Sequence, residues 1–358
     1  MESSSLVSQL KALVTTWIVA IKTGNDSLLL ICSDNGKELI AMKQDKIIKV
    51  VPYNAEWPAL AEIETARLKE ILGPACIETH HIGSTSVPGL AAKEDLDILC
   101  VVDKLESSLT LKDIGYAFKG EFNIPLRYFF SKNTDTCKVN LHVTEREHGF
   151  ISLNLCFRDY LRSHEDCRSD YQKLKYQLLQ DPTSFERING RFPKYTLEKN
   201  HFIKDILNQA GYSGINFNFC IHTAEWEAAK HYRQSYFFNS ASVDDPYTWT
   251  FNHPNHIHLV MYMGIRIIGY AHLQLWPDRC AVLHILTIHK TQRNKGQGKR
   301  FLHLLEKWLK NKQFKSLHIE SPVEVLPFYK KYGYTSVPFN DSDEYKIKAG
   351  VTPLGKFL

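Results

Sequence analysis

The sequence predicts two domains of the α/β (α+β) class in series, each a mixed sheet flanked by helices, and three observations support this. The chain has 358 residues, more than one hydrophobic core usually supports. Apolar runs typical of strands and helices alternate on both sides of residue 211. The segment Gly211-Tyr212-Ser213-Gly214 interrupts this alternation, because glycines end helices and suit exposed linkers. We therefore predict a linker at residues 211–214.

Composition excludes several classes of protein. Hydrophobic residues make up 44% of the chain and aromatic residues 12%, enough for packed cores, and no repeat or low-complexity tract is present. A net charge of +5 gives no strong signal for nucleic-acid or membrane binding. The eight cysteines form no close pairs, so zinc or redox motifs are not indicated. The apolar run 13–21 is too short to span a bilayer and lacks a basic leader, so we expect a cytoplasmic protein.

Residues 1–46 are predicted to form an appendage. Leu6–Val19 has the pattern of a helix, and Ser27–Cys32 and Glu38–Met42 are predicted to pair as strands. The intervening Asp34-Asn35-Gly36 favours a tight turn with positive backbone angles. We expect this segment to pack on the next domain and assign it no function.

Residues 47–210 begin as an α/β domain. The elements predicted there are strand Ile47–Pro52, helix Trp57–Leu72, strands Asp97–Val102, Val139–Val143 and Ile151–Phe157, and helices Arg158–Leu179 and Tyr195–Ala210. After the linker, over residues 215–358, the pattern restarts. It predicts strand Phe217–Thr223, helix Glu225–Phe238, strands Ile257–Met263, Arg266–Trp276 and Ala281–His289, helix Gly298–Asn311, strand Ser316–Glu320, helix Val323–Tyr332 and a final strand pair.

A glycine-rich loop follows the strand Ala281–His289 and opens a helix. Gly296 and Gly298 lack side chains that would obstruct a ligand, and amides at a helix start have no internal partners. The helix dipole and nearby cations attract phosphate. The loop is therefore predicted to bind a pyrophosphate, with a candidate set of Arg293, Asn294, Lys295, Gly296, Gln297, Gly298 and Lys299.

Together with the strand Ser316–Glu320 and the segment Leu326–Tyr334, this loop resembles the GCN5-related N-acetyltransferase (GNAT) family. The resemblance covers residues 215–345. It implies acetyl-CoA as cosubstrate, held at the loop, with the backbone of Leu286, Thr287 and Ile288 pairing with the pantetheine arm. It also implies that Tyr329 lies near the thioester sulfur and protonates the leaving thiolate.

Acetyl transfer to an amine also needs a base. His284 is the first candidate, because a neutral imidazole accepts a proton at physiological pH. Glu320, at the end of the next strand, is the second. The acceptor is an amine of a small molecule or a protein.

The histidines His253, His256 and His258 follow the segment Asp244–Phe251. A zinc site is one interpretation, but nothing in the sequence indicates its remaining ligands. We favour a polar aromatic acceptor pocket built from this stretch and Gln274–Trp276, with a plain loop-and-core role as the alternative.

In the middle domain, a Gly83-Ser84 turn precedes Asp95 and Asp97, whose side chains share one face of a strand. Such a carboxylate pair can hold Mg²⁺ on the phosphates of a nucleotide. The run His81–Lys93 resembles the GrpB (UPF0157) family, of nucleotidyltransferase fold, over residues 50–210. The nucleotide-binding candidates are Gly83, Ser84, Lys93, Asp95, Asp97 and Arg158, with Asp95 and Asp97 as metal ligands.

Two features of the sequence depart from nucleotidyltransferase chemistry. A third carboxylate is absent where Asn140 and His142 stand, and Glu94 and Asp95 differ from the usual family pattern. We therefore favour a nucleotide-binding or scaffold role for this domain. Two alternatives for the whole chain stay open: a nucleotidyltransferase whose C-terminal domain senses acyl-CoA, and a non-catalytic binding module. The sequence does not indicate the oligomeric state or the acyl acceptor.

Overall fold

The computed structural model describes residues 18–23, 26–32, 39–43, 49–188, 192–238, 245–337 and 350–358. These residues form two compact units. The first takes its described residues from 1–49 and 177–198, and the second comprises those of 50–176 and 199–358.

The first unit contains two small antiparallel sheets. Strands β1 (Ile18–Thr23), β2 (Asp26–Cys32) and β3 (Leu39–Lys43) form one sheet in that order. Strands β9 (Arg187–Ile188) and β10 (Phe192–Pro193) form the other. The predicted pairing of β2 with β3 is confirmed. The expected turn at 34–36 and most of the expected helix Leu6–Val19 lie outside the described residues, but Ile18 and Val19 belong to strand β1.

The middle domain is a five-stranded mixed sheet in the order β4-β5-β8-β7-β6. Only the central pair, β5 with β8, is parallel. The strands are β4 (Cys76–Ile82), β5 (Asp95–Val102), β6 (Ala117–Phe118), β7 (Arg127–Asn133) and β8 (Lys138–Glu145). The helices are α1 (Trp57–Leu72), α2 (Gly149–Ser163), α3 (Glu165–Gln180) and α4 (Lys194–Gln209).

Two predictions in this domain were wrong. Residues 151–157, predicted as a strand, lie in helix α2. The apolar side chains of Phe150, Leu153, Phe157 and Leu161 recur at helical spacing, and His148 caps the helix by accepting a hydrogen bond from the Phe150 amide at 3.1 Å. The single helix predicted for 158–179 is instead broken at His164, whose backbone is extended.

The remaining expected strand is also shorter than predicted. Of Ile47–Pro52, residues 47 and 48 lie outside the described residues, and Val51 alone pairs, in an isolated bridge with Ala92.

The C-terminal domain is a six-stranded mixed sheet in sequential order from β11 to β16. Its strands are β11 (Ile215–Phe219), β12 (His256–Met263), β13 (Arg266–Leu275), β14 (Cys280–Ile288), β15 (Ser316–Pro322) and β16 (Val351–Phe357). Its helices are α5 (Thr223–Arg233), α6 (Gln297–Asn311) and α7 (Leu326–Lys331).

Most C-terminal predictions are confirmed within a few residues, with two corrections. Strand β11 ends at Phe219, and Thr223, predicted as its last residue, begins helix α5. The region predicted as one helix over 323–332 is a 3₁₀ turn, Val323–Val325, followed by the short helix α7. The partner of the final strand is not described as a strand, although Thr335 bridges to Gly355.

The middle and C-terminal domains touch each other through helix α6. Glu121, which is 8% exposed, accepts hydrogen bonds from Trp308 Nε1 at 3.0 Å and from the Leu126 amide at 2.7 Å. Lys312 Nζ lies 2.9 Å from the same carboxylate. The Phe219 amide also donates to the Asn123 carbonyl at 3.0 Å. The last turns of α6 are thus held by the middle domain, whereas its first turn begins at the predicted phosphate loop.

Candidate active site

Strands β14 and β15 lie side by side for only part of their lengths. They pair in parallel from Cys280 opposite Ser316 to Leu283 opposite Ile319, and there the pairing ends. Strand β14 continues to Ile288 beside β13, while β15 continues to Pro322 beside β16. The two strands therefore diverge, and we call this opening the fork. On the β15 side of the fork, Leu286, Thr287 and Ile288 have no strand partner within the described sheet, and the Ile288 carbonyl accepts from Arg293 Nε at 3.0 Å.

Both candidate bases stand at the fork. His284 directly follows the last paired residue of β14, and Glu320 directly follows the last paired residue of β15. A bulge between His272 and Leu273 in the pairing with β13 leaves His284 as the extra residue of β14. Because Ile319 points into the main core, strand alternation puts Glu320 toward the opposite face. The His284 ring lies beside His272, with centres 5.0 Å apart, and hydrogen-bonds to Gln274.

The phosphate loop has the backbone that its glycines were expected to allow. Gly296 has φ 79° and ends the loop as the cap of helix α6, and Asn294 also has a positive φ of 60°. No described atom lies within 4 Å of the position that a Gly296 Cβ would take. At Gly298 the nearest atoms belong to the Phe328 ring, at 3.5 Å, so the loop lies next to helix α7.

The cations of this loop differ in what they contact. Arg293 Nε donates to the Ile288 carbonyl at 3.0 Å, and its guanidinium lies 5.0 Å from the Tyr236 ring centre. Lys295 and Lys299 are exposed, and neither makes an ion pair within the described part of the chain. Arg293 therefore stiffens the loop, while the two lysines keep their charge available to an anion.

Tyr329 lies on helix α7 and is 8% exposed. Its ring packs against Phe328 and Tyr334, with centres 5.1 and 5.6 Å away. Among the described residues its hydroxyl has no hydrogen-bond partner. Burial raises the pKa of this hydroxyl, so it keeps its proton at physiological pH.

A buried polar chain that the sequence patterns did not indicate lies beside the fork. Arg233, at the end of helix α5, pairs with Asp245 through Nε and Nη2, and Nη2 donates to Asp245 Oδ1 at 3.0 Å. It also donates to His272 Nδ1 at 3.2 Å. His272 Nε2 lies 2.8 Å from His256 Nδ1. Arg233 was not singled out, nor was His272, although His272 pairs directly with the noted His258 across β12 and β13.

The hydrogen bonds determine where the ring protons sit. A guanidinium only donates, so His272 Nδ1 accepts and its Nε2 carries the proton, which it donates to His256. His258 Nε2 faces the Thr250 carbonyl at 3.2 Å and must donate, so its Nδ1 accepts from the Tyr270 hydroxyl at 2.7 Å. These three histidines, the histidine column, are therefore neutral and share one tautomer.

Electrostatics in the histidine column agree with these assignments. Burial lowers the pKa of His256 to about 4, helped by the charges of His253 and Arg233. Burial lowers the pKa of His258 to about 3, and it lowers that of His272 as well. Within the described residues, no group of three or more His, Cys, Asp or Glu side chains has the arrangement of a metal site. The prediction that His253, His256 and His258 belong to a polar acceptor pocket and not to a zinc site stays a prediction.

The middle-domain candidates also come together. A Cβ on Gly83 would lie 2.9 Å from Asp97 Cβ, so Asp97 packs directly over the Gly83-Ser84 turn. Burial lowers the pKa of Lys93. The nearby carboxylates of Asp95 and Asp97 offset part of that lowering. Arg158 instead donates to the His81 carbonyl at 3.0 Å and pairs with Asp159 at 2.7 Å.

The surroundings of Asp97 do not fit a divalent ion. Asn140 pairs with Asp97 across β5 and β8 and donates its amide to Asp97 Oδ1 at 3.1 Å. His142 Nε2 lies 3.8 Å from the same oxygen. Because Arg127 donates to His142 Nδ1 at 2.9 Å, the His142 proton sits on Nε2 and faces Asp97. Mg²⁺ prefers several oxygen ligands, whereas this carboxylate is surrounded by donors. The expectation of Mg²⁺ at Asp95 and Asp97 is therefore unsupported.

Two family models match successive parts of the chain. The family described as GrpB protein matches residues 47–209, and the Acetyltransferase (GNAT) family matches residues 222–334. No helix within the described ranges combines the length and apolar character that a membrane span requires.

Three curated proteins illustrate the relationship. A UPF0157 protein of Halalkalibacterium halodurans is 35% identical over 137 residues, which are 37% of this chain and 70% of that protein. The UPF0157 protein YqkA of Bacillus subtilis is 37% identical over 40% of this chain, and the match spans only 44% of YqkA. A dephospho-CoA kinase of Mycolicibacterium paratuberculosis is 38% identical over 46% of each chain.

Two solved structures are also similar. The conserved protein GrpB from Enterococcus faecalis is 34% identical, with 45% of this chain and 96% of that chain covered and a TM-score of 0.40. A GNAT-family acetyltransferase from Staphylococcus aureus is 14% identical, with 40% and 99% covered and a TM-score of 0.34. Sheet order and family matches, taken together, show that this chain belongs to the GrpB (UPF0157) family and carries a GNAT-family acetyltransferase domain behind its GrpB domain.

Proposed function

We propose that the C-terminal domain transfers an acetyl group from acetyl-CoA to an amine of a small molecule or a protein. The fork is the observation that carries this proposal. Strand β14 leaves β15 after Leu283 and runs directly to the phosphate loop, so an extended cosubstrate arm can pair with the freed edge of β14. Its pyrophosphate would then meet the exposed Lys295 and Lys299 at the start of helix α6.

In the proposed reaction the amine nitrogen attacks the thioester carbonyl carbon. A carbon–nitrogen bond forms, the carbon–sulfur bond breaks, and the amine proton passes to a base. His284 and Glu320 flank the end of the β14–β15 pairing, which supports either of them in this role. His284 Nε2 lies 2.8 Å from Gln274 Oε1, a geometry in which Nε2–H donates and Nδ1 of a neutral ring carries the lone pair.

Tyr329 is the proposed acid. Helix α7 carries it beside the first turn of helix α6, since Phe328 touches Gly298. Its raised pKa keeps the phenol protonated, so it can donate that proton to the departing thiolate. The phenolate then recovers a proton from solvent.

The acceptor pocket is proposed to lie beside the histidine column. Trp249 is 56% exposed, and its ring centre lies 5.1 Å from that of His256. Tyr247 adds a second exposed ring at the same end of the domain. Because the histidines are neutral and Arg233 is already paired with Asp245, the pocket does not repel a cationic amine strongly.

Thiol release by the full chain tests the proposal. Acetyl-CoA is supplied with a panel of simple amines, polyamines, antibiotics and peptides. At least one amine should give turnover, and Tyr329→Phe should lower kcat about 100-fold or more while leaving KM for acetyl-CoA nearly unchanged. Tyr332→Phe is the matched control, since Tyr332 caps the C-terminal end of helix α7 and is given no role in the reaction, so this variant should keep full activity.

Two results would contradict the proposal. Calorimetric binding of acetyl-CoA without thiol release from any amine would favour a non-catalytic binding module. Turnover that is equal in Tyr329→Phe and the parent chain would remove Tyr329 from the reaction.

A further inference from the structure

Several cations lie near the Gly83-Ser84 turn of the middle domain, and one of them, Lys175, is buried against it. Lys175 of helix α3 is 2% exposed, and its Nζ donates to Ser84 Oγ at 3.0 Å and to the Ala91 carbonyl at 2.6 Å. No carboxylate within the described ranges forms an ion pair with it. An ammonium buried beside only neutral acceptors is costly, which is unusual unless the site receives an anion.

Two further lysines belong to the same group. Lys199 of helix α4 repels the charges of Lys93 and Lys175, and Asp97 attracts it. Lys93 interacts with Asp95, Asp97 and the cation Lys138. We call Lys93, Lys175 and Lys199 the lysine cluster. Its members come from one loop and two helices, so only the tertiary structure brings them together.

The arginines of helix α2 extend the positive surface around the turn. Arg158 reaches the His81 carbonyl, and Arg162 donates twice to the Ser86 carbonyl, at 3.0 and 2.7 Å. Both therefore border the turn from its other side. Asp159, which pairs with Arg158, is 55% exposed and lies at the outer edge. Cations consequently outnumber carboxylates here.

From this juxtaposition we propose that the middle domain binds an oligophosphate directly through the lysine cluster, with no divalent cation. A ligand with several negative charges offsets the repulsion among these three lysines more fully than the two nearby carboxylates, Asp95 and Asp97, can do. The donors around Asp97 leave no ligand set for Mg²⁺, so the lysines replace the metal as the source of positive charge. This site is separate from the fork and does not depend on acetyl transfer.

Titration calorimetry of the full chain in EDTA tests this proposal, with inorganic tripolyphosphate and ATP as the probes. Tripolyphosphate should bind in EDTA, and 5 mM Mg²⁺ should not strengthen the binding. Lys175→Met should weaken the affinity about tenfold or more, since it removes a charge-assisted hydrogen bond at nearly constant volume. Lys173→Met is the matched control, because Lys173 is on the same helix with its side chain 68% exposed. It should change nothing.

Proton exchange supplies a second measurement. Burial, followed by repulsion from Lys199, lowers the pKa of Lys175 to about 7, and the neighbouring Tyr171 ring and Ser84 hydroxyl are uncharged. A bound anion favours the ammonium form, so binding at pH 8 should take up protons. Heats measured in phosphate-free buffers of different ionisation enthalpy report that uptake, and it should shrink in Lys175→Met.

Several outcomes would overturn the proposal. They are the absence of binding by both probes in EDTA, binding that appears only with Mg²⁺, and binding that survives both Lys175→Met and Lys199→Met. The last would mean that the anion sits elsewhere, for example at the phosphate loop. If Lys175→Met does not fold, Lys199→Met alone carries the test. If ATP bound but tripolyphosphate did not, recognition through phosphate charge would also be contradicted.

Discussion

At the scale of single residues, the histidine column shows how one charged side chain, Arg233, sets the protonation state of its neighbours. Arg233 cannot lose its proton, so every acceptor and donor from His272 to His256 is fixed in one direction. The sequence indicates His256 and His258 as candidate pocket residues but does not indicate their protonation state. That state depends on Arg233 and Tyr270, which come from other elements.

The histidine column predicts acid sensitivity. In the unfolded chain a histidine takes up its proton below pH 6.5, whereas folded His256 and His258 do so only near pH 4 and 3. The unfolded state therefore binds more protons between these values, and stability falls as the pH falls below 6.5. The charged and titratable groups near the column are Arg233, Asp245, His253 and His284. The one carboxylate among them, Asp245, is paired with Arg233, so it does not restore the pKa of either ring.

Urea unfolding at pH 7.5, 6.0 and 5.0 checks this prediction. Stability should drop by about 1.4 kcal/mol per pH unit for each such histidine below pH 6.5. His258→Gln should flatten the dependence by about one proton, while the control His201→Gln, at an exposed position, should leave it unchanged. A pH-independent unfolding midpoint in the parent chain would contradict the neutral assignment.

At the scale of elements, the phosphate loop and the fork differ in how far the sequence predicted them. The loop depends on two glycines and a helix start, all local features, and its backbone has the expected positive φ at Gly296. The fork depends on where two strands stop pairing, which no local pattern specifies. The wrong strand over 151–157 has a related cause, because its short apolar run suits either structure until tertiary packing decides.

The loop geometry predicts a specific effect of Gly296→Ala. Gly296 has φ 79° and Gly120 has φ 78°, and no described atom lies within 4 Å of a Cβ at either position. Each alanine should thus cost about 1–2 kcal/mol through its backbone conformation alone. Only at Gly296 would the added methyl meet a bound ligand.

Fluorescence or calorimetric titration with acetyl-CoA distinguishes the two variants. Gly296→Ala should weaken binding about tenfold, and Gly120→Ala should bind like the parent chain despite a similar loss of stability. Equal affinities in all three proteins would show that the ligand does not approach Gly296 closely.

At the scale of the whole molecule, helix α6 runs from the glycine-rich loop to the middle domain. Its first turn starts at Gly296, and its last turns contact Glu121 of the middle domain through Trp308 and Lys312. Gly149 brings the two domains close at a second place. A side chain there would overlap the Ile215 carbonyl and approach Asn216 Oδ1 to 2.5 Å.

This close approach predicts that Gly149→Ala opens the junction between the domains. The overlap should cost about 1–3 kcal/mol or more, because both neighbours are held by strand β11. Calorimetry should show one unfolding transition for residues 50–358 in the parent chain and two in the variant. Ser163→Ala, at the other end of helix α2, is the control and should behave like the parent chain. A single unchanged transition in Gly149→Ala would contradict a tight junction.

By itself, the sequence determined what local patterns encode: the order of the two family domains, most helices and strands, the phosphate loop and the candidate residues around it. Glycine spacing and apolar periodicity act over a few residues, so they can be recognised in the sequence without knowledge of the fold. The tertiary structure alone decided that His284 and Glu320 both follow the end of the β14–β15 pairing, that donors contact Asp97, and that Lys199 interacts with both Lys93 and Lys175. These features depend on strand registers and helix contacts between residues far apart in the chain, which local patterns do not specify.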